Sequence, residues 1–434
     1  MSRPVPGPRI APLAAFRFAV DPYAFFAACK RRYGDPFAFH LAGKRLVVTG
    51  QPELARTIFT MDPDATRSFG TDHLGALLGQ HSLIVVSGER HRRDRKLLTP
   101  PFHGARMRSY GAIIREATRR HASAWKVGEP FVMQRTTQAI SLEVIVRAVF
   151  GVTDPGRMAE VGEALVDTIE AIHPLLLFSR HAQRDLGPLT PWRRFVAAQA
   201  RAKALTRSQI AARRAQPADD ILSLMLAVRD EDGRALADDE LIDELQTLLF
   251  AGHETTAIAL AWAFSWLLRA PAVFARLRAE LLALGPDPDY EAVAALPYLD
   301  AVCHEVLRLW PIIPIVPRTL VRPLQLGPYE LPAGTGVAVG TALLHQDPDL
   351  YPEPHVFRPE RFLGRKVSPF EFTPFGGGHR RCIGAAFALY EMKQALAVLV
   401  PEYDLRLVDT APPRPVRRNL SLGPTGGVTV VRAS

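Results

Sequence analysis

The ten residues from Phe375 to Gly384 decide how this sequence is interpreted. They read Phe-Gly-Gly-Gly-His-Arg-Arg-Cys-Ile-Gly, and a helical pattern follows them as far as Pro401. Three consecutive glycines suit a chain that turns tightly against something large and flat, because glycine has the fewest conformational restrictions. The neighbouring arginines, the histidine and the following helix N-terminus are expected to lower the pKa of the Cys382 thiol.

A single thiolate beside a glycine loop is a candidate axial ligand for haem iron. The simpler alternative is a buried cysteine in a turn, since cysteine is among the most buried residue types. The spacing that decides between the two is formed by Phe375, Gly378, Arg380, Cys382 and Gly384. This spacing resembles the haem-ligand signature of the cytochromes P-450, the haem-thiolate monooxygenases. The resemblance implies haem b (iron protoporphyrin IX) as the cofactor, bound through the Cys382 thiolate.

A long helix is predicted from about Asp238 to Ala270, where Pro271 stops it. At 1.5 Å per residue it would be roughly 50 Å long and cross the whole molecule. Its apolar middle contains Ala-Gly-His-Glu-Thr-Thr at 251–256, although glycine and threonine are weak helix formers and a buried acid is costly. Such a local defect often marks a functional site, with a tolerated kink as the alternative.

The segment 251–256 resembles the oxygen-activation motif of the same family. The resemblance implies that Thr255 supplies the hydroxyl and Glu254 the acid of a proton-delivery pair. It also implies that Ala251 lies against the haem.

Basic residues in three places resemble the family's ligands for the haem propionates. His91 and Arg95 are four residues apart and share one helical face, although a solvated charged helix is the usual alternative for a basic run. Arg318 ends a proline-rich strip, and Arg380 precedes the cysteine by two residues.

A second motif pair concerns the scaffold around the cysteine. Glu305 and Arg308 are three residues apart, and an exposed helical pair of this kind is worth only tenths of a kcal/mol. Together with Pro-Glu-Arg-Phe at 359–362, however, the pair resembles the family's structural triad. The resemblance implies that Glu305, Arg308 and Arg361 fix the polypeptide that wraps the cysteine loop.

Composition favours one large globular unit. The chain has 434 residues, of which 48% are apolar, and no linker or repeat divides it. We expect residues 1–34 to form an N-terminal lead-in and residues 35–434 a single haem-thiolate monooxygenase domain. Three cysteines are too few for a disulfide framework and indicate a reducing compartment. Without a signal peptide or membrane anchor, a soluble, cytoplasmic monomer is expected.

The resemblance implies a mainly α fold with small β-sheets, described as a triangular helical prism. The haem would lie between the long central helix and the cysteine loop. Local patterns predict a short helix over 23–33, a β-hairpin from 37–41 and 45–49, and an extended strip over 311–319.

The implied reaction is the insertion of one oxygen atom from O2 into an apolar substrate, by hydroxylation or epoxidation. One alternative is a haem-thiolate isomerase, dehydratase or peroxygenase, which would need no electrons from NAD(P)H. Intact Thr255 and Glu254 argue against it. The other alternative is a non-catalytic haem sensor, whose haem would show no substrate-induced spin shift.

A mainly apolar substrate pocket is predicted from five separate segments. Its predicted members are Leu77, Leu78, Leu83, Leu176, Thr247, Phe250, Ala251, Ile312, Ile313, Val316 and Leu422. Thr247 is the one polar member, and its hydroxyl could instead bond back to its own helix. Terpenoids, steroids, fatty-acyl or polyketide-like molecules are the expected substrates.

Electrons are expected from a separate acidic ferredoxin and its NAD(P)H-dependent reductase, because the sequence has no nucleotide-binding glycine motif and too few cysteines for a cluster. The net charge is +9, but no nucleic-acid motif is found, so an acidic protein is the expected partner. The predicted docking face comprises His379, Arg381, Arg92, Arg93 and Lys96.

Overall fold

The computed structural model describes residues 4–102, 104, 106–173, 176, 182–185, 187 and 190–434. Over these ranges the chain is mainly helical with small β-sheets, as the sequence predicts. The helices are Ala11–Val20, Pro22–Tyr33, Pro52–Phe59, Thr71–Leu78, Gly88–Leu98, Arg106–Ala122, Met133–Ala148, Pro155–Glu170, Pro191–Ala215, Ile221–Ala227, Asp238–Leu267, Pro271–Leu282, Tyr290–Ala294, Pro297–Leu309, Thr341–His345 and Ala385–Glu402.

Twelve short strands belong to the described chain. They are β1 (Phe37–Leu41), β2 (Lys44–Thr49), β3 (Thr66–Ser68), β4 (Pro130–Val132), β5 (Val316–Leu320), β6 (Leu324–Leu326), β7 (Tyr329–Leu331), β8 (Gly336–Val339), β9 (Leu405–Leu407), β10 (Pro415–Arg418), β11 (Ser421–Pro424) and β12 (Thr429–Arg432). Single 3-10 turns occur at Pro359–Phe362 and Gly378–Arg380, among other places.

The five-stranded sheet has the order β1-β2-β8-β5-β3. The predicted hairpin is confirmed, since β1 and β2 pair antiparallel from Phe37 opposite Val48 to Leu41 opposite Lys44. β2 pairs with β8 in parallel, while β5 is antiparallel to β8 and β3. β5 places Arg318 in the sheet interior, where it is fully buried. Smaller sheets comprise β4-β12-β9, β6-β7 and the β10-β11 hairpin.

The central helix, Asp238–Leu267, has 30 residues and is therefore about 45 Å long. Acidic residues at 238–240 stabilise its positive end. It packs against the helices Met133–Ala148, Pro297–Leu309 and Ala385–Glu402 and against β11. The predicted buried helix is confirmed and ends three residues before Ala270.

A helix over Ala11–Val20 was not predicted. Pro12 lies in its first turn, where proline is tolerated because that N–H has no helical partner. Phe18 is buried, with its ring centroid 5.3 Å from that of Phe39 on β1. The segment therefore packs onto the five-stranded sheet through the face that contains Phe18.

None of the described helices is by itself long and apolar enough to cross a membrane. The helices Asp238–Leu267 and Pro271–Leu282, taken together, have the length and apolar composition of a membrane span, but they are bent by 114° at the break between them.

Candidate functional site

The cysteine loop, residues 375–384, packs closely on the helix Pro52–Phe59. Gly376 and Gly378 have φ angles of +66° and +65°, which favour glycine. A Cβ on Gly377 would lie 2.3 Å from the Phe59 ring, and one on Gly378 would lie 2.0 Å from the Phe59 carbonyl oxygen. The glycines therefore permit close contact with Phe59, a protein neighbour that the sequence did not indicate.

Cys382 lies at the end of this loop, three residues before the helix Ala385–Glu402. Its backbone N–H donates to the Phe375 carbonyl at 2.9 Å. Cys382 has accessible surface. Protein nevertheless surrounds the thiol closely, and this burial raises its pKa. The Gly384 N–H, Arg95 and Arg381 lower the pKa by a smaller amount. The predicted net lowering of this pKa is wrong for the protein alone, because burial outweighs the cations. Coordination to a metal cation removes a thiol proton outright.

Three arginines and two histidines gather beside the loop. They are Arg95, Arg318, Arg380, His91 and His379, and we call them the cation cluster. Arg318 Nη1 and Nη2 donate to the carbonyls of Ile58 (2.8 Å) and Gly377 (2.5 Å). Arg380 Nη2 donates to the Val86 carbonyl and the Ser87 hydroxyl.

The cation cluster has no carboxylate of its own among the described ion pairs. Burial, with mutual repulsion, lowers the pKa of Arg318 and of Arg380 to about 10. The same causes lower the pKa of His91 to about 3 and of His379 to about 4. Both ring nitrogens of His379 and the Nε atoms of Arg318 and Arg380 are buried without a partner in the described chain. This arrangement needs an anion to be stable.

The central helix opens on one face in its middle. Ala251 is exposed and Thr255 is half-buried, although the helix is buried throughout residues 256–265. The Thr255 hydroxyl donates to the Ala251 carbonyl at 2.7 Å. In the same turn, a Cβ on Gly252 would lie 2.7 Å from Ile145 Cδ1, so this glycine permits close packing of the helix Met133–Ala148.

Glu254 is buried and points toward the β10-β11 hairpin. The Ser421 hydroxyl donates to its Oε2 at 3.4 Å. Burial raises the pKa of this carboxyl, opposed by the charge of Arg418 and by the Ser421 hydrogen bond. The Glu254 carboxyl therefore keeps its proton up to a higher pH than it would in water. Its polar neighbours are Ser421 and Arg418.

Glu305, Arg308 and Arg361 lie in one buried network. Arg308 donates to both carboxylate oxygens of Glu305, at 2.7 and 2.9 Å, and to the His345 carbonyl at 2.9 Å. Arg361 Nε donates to Glu305 Oε1 at 3.0 Å, and so does the Arg358 backbone N–H at 2.9 Å. The three motif residues, separated by up to 56 positions, therefore meet in space.

The predicted pocket residues fall into more than one packing group. Leu77, Leu78 and Leu176 share one buried cluster, against which Phe250 packs. Leu77, Leu78 and Phe250 also line a cavity with room for about one water molecule, together with Leu165, Thr168, Ile169, Ile172, Ala202, Gln246 and Leu249. Other predicted members lie elsewhere. Leu83 and Ile312 pack at the main core, Val316 lies beside Gly376, and Ile313 is half-buried. Leu422 is fully buried, and its N–H donates to the Ile312 carbonyl.

The polar residue of the central helix that lines this cavity is Gln246, whereas the predicted polar member of the pocket is Thr247. The Thr247 hydroxyl is buried at hydrogen-bond distance, 2.7 Å, from both the Asp243 carbonyl and the Ser82 hydroxyl. Gln246, one residue earlier, lines the cavity instead, and its Nε2 is buried with no partner in the described chain. Sequence could not reveal this, because both residues are polar members of the same helical turn.

Several cations of the predicted docking face already have acidic partners. Arg92 pairs with Asp64 at 2.8 Å, Arg93 with Asp230 at 2.7 Å and Lys96 with Glu231 at 2.6 Å. His379 belongs to the cation cluster, with its ring nitrogens buried. Arg381 is exposed beside Cys382 and has no ion pair among the described residues.

The residues present fit a haem. A free thiol can bind the iron, the cation cluster can neutralise two propionates, and the open face of the central helix leaves room beside Thr255. A helical protein with this combination belongs to the class of haem-thiolate proteins.

Comparison with known proteins agrees with this class. A family model described as Cytochrome P450 matches residues 2–430, and the chain belongs to the cytochrome P450 family. It is similar to "Putative cytochrome P450 137" of Mycobacterium tuberculosis (strain CDC 1551 / Oshkosh), with 37% identity over 406 residues, covering 92% of this chain and 83% of that protein.

Solved structures give the same fold. Retinoic acid bound cyanobacterial CYP120A1 is similar with a TM-score of 0.85 and 29% identity, covering 94% of this chain and 93% of that one. The cytochrome P450DA heme domain has a TM-score of 0.88 at 24% identity, covering 100% and 97%. The predicted family, fold class and haem-thiolate cofactor are confirmed, and the general activity is that of a haem monooxygenase.

Proposed function

We propose that this chain inserts one oxygen atom from O2 into an apolar organic substrate, using a haem that the Cys382 thiolate would bind. The observation that supports this most strongly is the cation cluster, which forms no ion pair with a carboxylate among the described residues, beside Cys382, the cysteine with accessible surface. The haem supplies, when bound, the binding and stepwise reduction of dioxygen. The chain supplies its orientation, the exclusion of water and the delivery of protons.

The residues around the cysteine divide the work of holding the haem. In this proposal His91, Arg95, Arg318 and Arg380 bind the two propionates, and His379 adds a buried donor that the sequence did not assign. Phe375, Gly378 and Gly384 shape the loop that presents the Cys382 sulfur, and Ala251 would lie against the haem. Glu305, Arg308 and Arg361 fix the chain that wraps the loop.

Glu254 and Thr255 are proposed to move protons to the reacting oxygen. The raised pKa of the Glu254 carboxyl favours its protonated form more than water does, which suits a group that delivers a proton. Its Ser421 neighbour offers a hydroxyl link toward the β10-β11 hairpin. Thr255 offers its hydroxyl on the open face of the same helix.

Thr255→Ala should leave haem and substrate binding nearly intact but divert reducing equivalents to peroxide. The reason is that, among the described residues, the hydroxyl bonds to the Ala251 carbonyl of its own helix alone, so its loss removes a proton donor and no described tertiary hydrogen bond. We expect product per NAD(P)H to fall by about tenfold or more. Thr256→Ala, one residue on and buried, is the matched control; equal coupling in wild type and Thr255→Ala would contradict the assignment.

The proposed substrate is mainly apolar: a terpenoid, steroid, fatty-acyl or polyketide-like molecule. The apolar side chains of Leu77, Leu78 and Phe250 support the apolar character of this ligand, and the buried Gln246 Nε2 beside them is a hydrogen-bond donor without a partner in the described chain. A similar protein, CYP120A1, is described as retinoic acid bound. A Soret spin-shift titration against such compounds would identify the ligand class.

We propose that electrons come from a separate acidic ferredoxin with an NAD(P)H-dependent reductase, and that residues 35–434 act as one catalytic domain in the cytoplasm. Three free cysteines suit a reducing compartment. Because Arg92, Arg93 and Lys96 are already ion-paired, Arg381 is the best-supported contact for an acidic donor. Arg381→Glu should slow the first electron transfer at low salt, with Arg92→Glu as the control.

The reaction class is tested by isotope labelling. The haem-loaded protein is given ferredoxin, reductase, NADPH and a spin-shifting substrate under ¹⁸O2. One ¹⁸O atom per product, dependent on NADPH, is expected. Label-free product that forms with hydrogen peroxide alone would favour a peroxygenase, and turnover without oxygen uptake would favour an isomerase or dehydratase.

A further inference from the structure

The helix Ala11–Val20 has one face that the rest of the described protein does not cover. Ile10, Leu13, Phe16 and Val20 are 64%, 51%, 64% and 58% exposed. Successive members are three or four residues apart, so they lie on one side of the helix. We call these four residues the N-terminal apolar stripe.

The opposite face fixes this helix to the protein. Ala14 and Phe18 are buried against the aromatic cluster of the neighbouring helix and β1. Arg417, on β10, donates from Nε to the Ala19 carbonyl at 2.7 Å and from Nη2 to the Phe18 carbonyl at 3.1 Å. The stripe is therefore displayed by an anchored element.

Cations border the stripe. Arg9 and Arg17 are exposed, and neither forms an ion pair within the described chain. Residues 1–34 contain six lysines and arginines but one acid, Asp21. An apolar helix face bordered by unpaired guanidinium groups has the chemistry of an interfacial helix, in which apolar side chains enter the acyl boundary and cations meet lipid phosphates.

We propose that the N-terminal apolar stripe docks this protein reversibly on an anionic lipid surface. A second copy is a poorer occupant, because a symmetric contact would bring together two N-terminal segments that each contain six lysines and arginines but one acid. One ten-residue helix is also only about 15 Å long, too short for the roughly 800 Å² per partner of a stable protein interface. An anionic lipid surface attracts the basic residues and requires no minimum protein contact area. The helix would lie on this surface without spanning it.

The test is co-sedimentation of the haem-loaded full chain with vesicles. Vesicles of phosphatidylcholine with phosphatidylglycerol are compared with phosphatidylcholine alone. The double variant Leu13→Glu/Phe16→Glu should bind the anionic vesicles about tenfold more weakly or worse. Val321→Glu/Val408→Glu, at two similarly exposed valines elsewhere, is the matched control and should bind like wild type.

Charge is tested separately with Arg9→Glu/Arg17→Glu, which should remove the preference for anionic vesicles, as should high salt. An unchanged reduced-carbonyl spectrum shows that each variant is folded with haem. The proposal is overturned if wild type does not sediment with anionic vesicles, if it binds neutral vesicles equally, or if the stripe variant binds as wild type does. A stripe variant that instead converts a dimer to a monomer in sedimentation velocity would overturn it in favour of self-association.

Discussion

Two groups of buried arginines in this protein differ in what neutralises them. Arg308 and Arg361 converge on the Glu305 carboxylate, and every contact in that network is supplied by the chain. Arg318 and Arg380 are similarly withdrawn from water, but they meet only carbonyl and hydroxyl oxygens and leave their Nε atoms without partners in the described chain. A carboxylate of the chain neutralises Arg308 and Arg361, whereas no described carboxylate forms an ion pair with Arg318 or Arg380.

The difference separates a structural role from a binding role. A buried ion pair within the chain stabilises the fold only when its geometry is good, and breaking it is costly. Buried cations without a partner are costly from the start, so they persist where a bound anion compensates them. We infer that the triad serves the scaffold and that the cation cluster serves the haem propionates.

Glu305→Gln should have the largest effect on folding. It leaves two buried arginines without a carboxylate, and loss of one partner of a buried pair costs about 3–5 kcal/mol. Chemical denaturation of the haem-free and haem-loaded protein should show a similar loss in both. Glu353→Gln, which removes an exposed pair with Arg358 at 2.8 Å, is the control and should cost less than about 1 kcal/mol. A Glu305→Gln protein as stable as this control would show that the Glu305 carboxylate is not needed to stabilise the buried arginines.

Arg95→Leu should show the opposite pattern. The Arg95 side chain has no hydrogen bond or ion pair in the described chain, and burial lowers the pKa of its guanidinium. We expect the haem-free protein to keep its stability, while haem dissociates about tenfold faster because one propionate partner is lost. Arg92→Leu, on the exposed face of the same helix, should change neither property. Equal destabilisation with and without haem would mean that Arg95 is structural.

His345 makes the triad region sensitive to acid. Its Nε2 accepts the Thr373 N–H at 2.9 Å, so the ring must be neutral there, and burial with nearby Arg308 lowers its pKa to about 3. The unfolded chain, with a histidine pKa near 6.5, therefore binds an extra proton as pH falls. Stability contributed by this group is present above pH 6.5 and should fall by about 2 kcal/mol between pH 7 and pH 5.

The measurement is the free energy of unfolding as a function of pH. His345→Gln should make the profile shallower by about one proton over this range, while His355→Gln, at an exposed position, serves as the control. Identical slopes for His345→Gln and wild type would show that the ring is protonated in the fold.

Local patterns in the sequence predicted much of the fold. The hairpin at 37–49 and the central helix follow from short-range periodicity, and both form as expected. The glycine loop could be recognised by its spacing. Its contact with Phe59 could not, because that contact joins residues more than 300 positions apart.

What the sequence could not give depends on tertiary contacts. Burial reverses the expected direction of the Cys382 pKa shift, and a motif contains no measure of burial. His379 joins the cation cluster only because β5 and the helix Gly88–Leu98 meet the loop. Gln246 lines the cavity, whereas the Thr247 hydroxyl lies 2.7 Å from that of Ser82, a contact between residues 165 positions apart.

The reduced-carbonyl spectrum of Cys382→Ala tests the central claim most directly. A thiolate ligand gives the reduced carbonyl complex its far-red-shifted Soret band, and Cys382 is the one accessible cysteine of the chain. If the Cys382 thiolate binds the iron, Cys382→Ala lacks this band, while the matched variant Cys29→Ala, at a buried cysteine, retains it. A Cys382→Ala protein that kept the shifted band would show that another group binds the iron and that Cys382 is not the ligand.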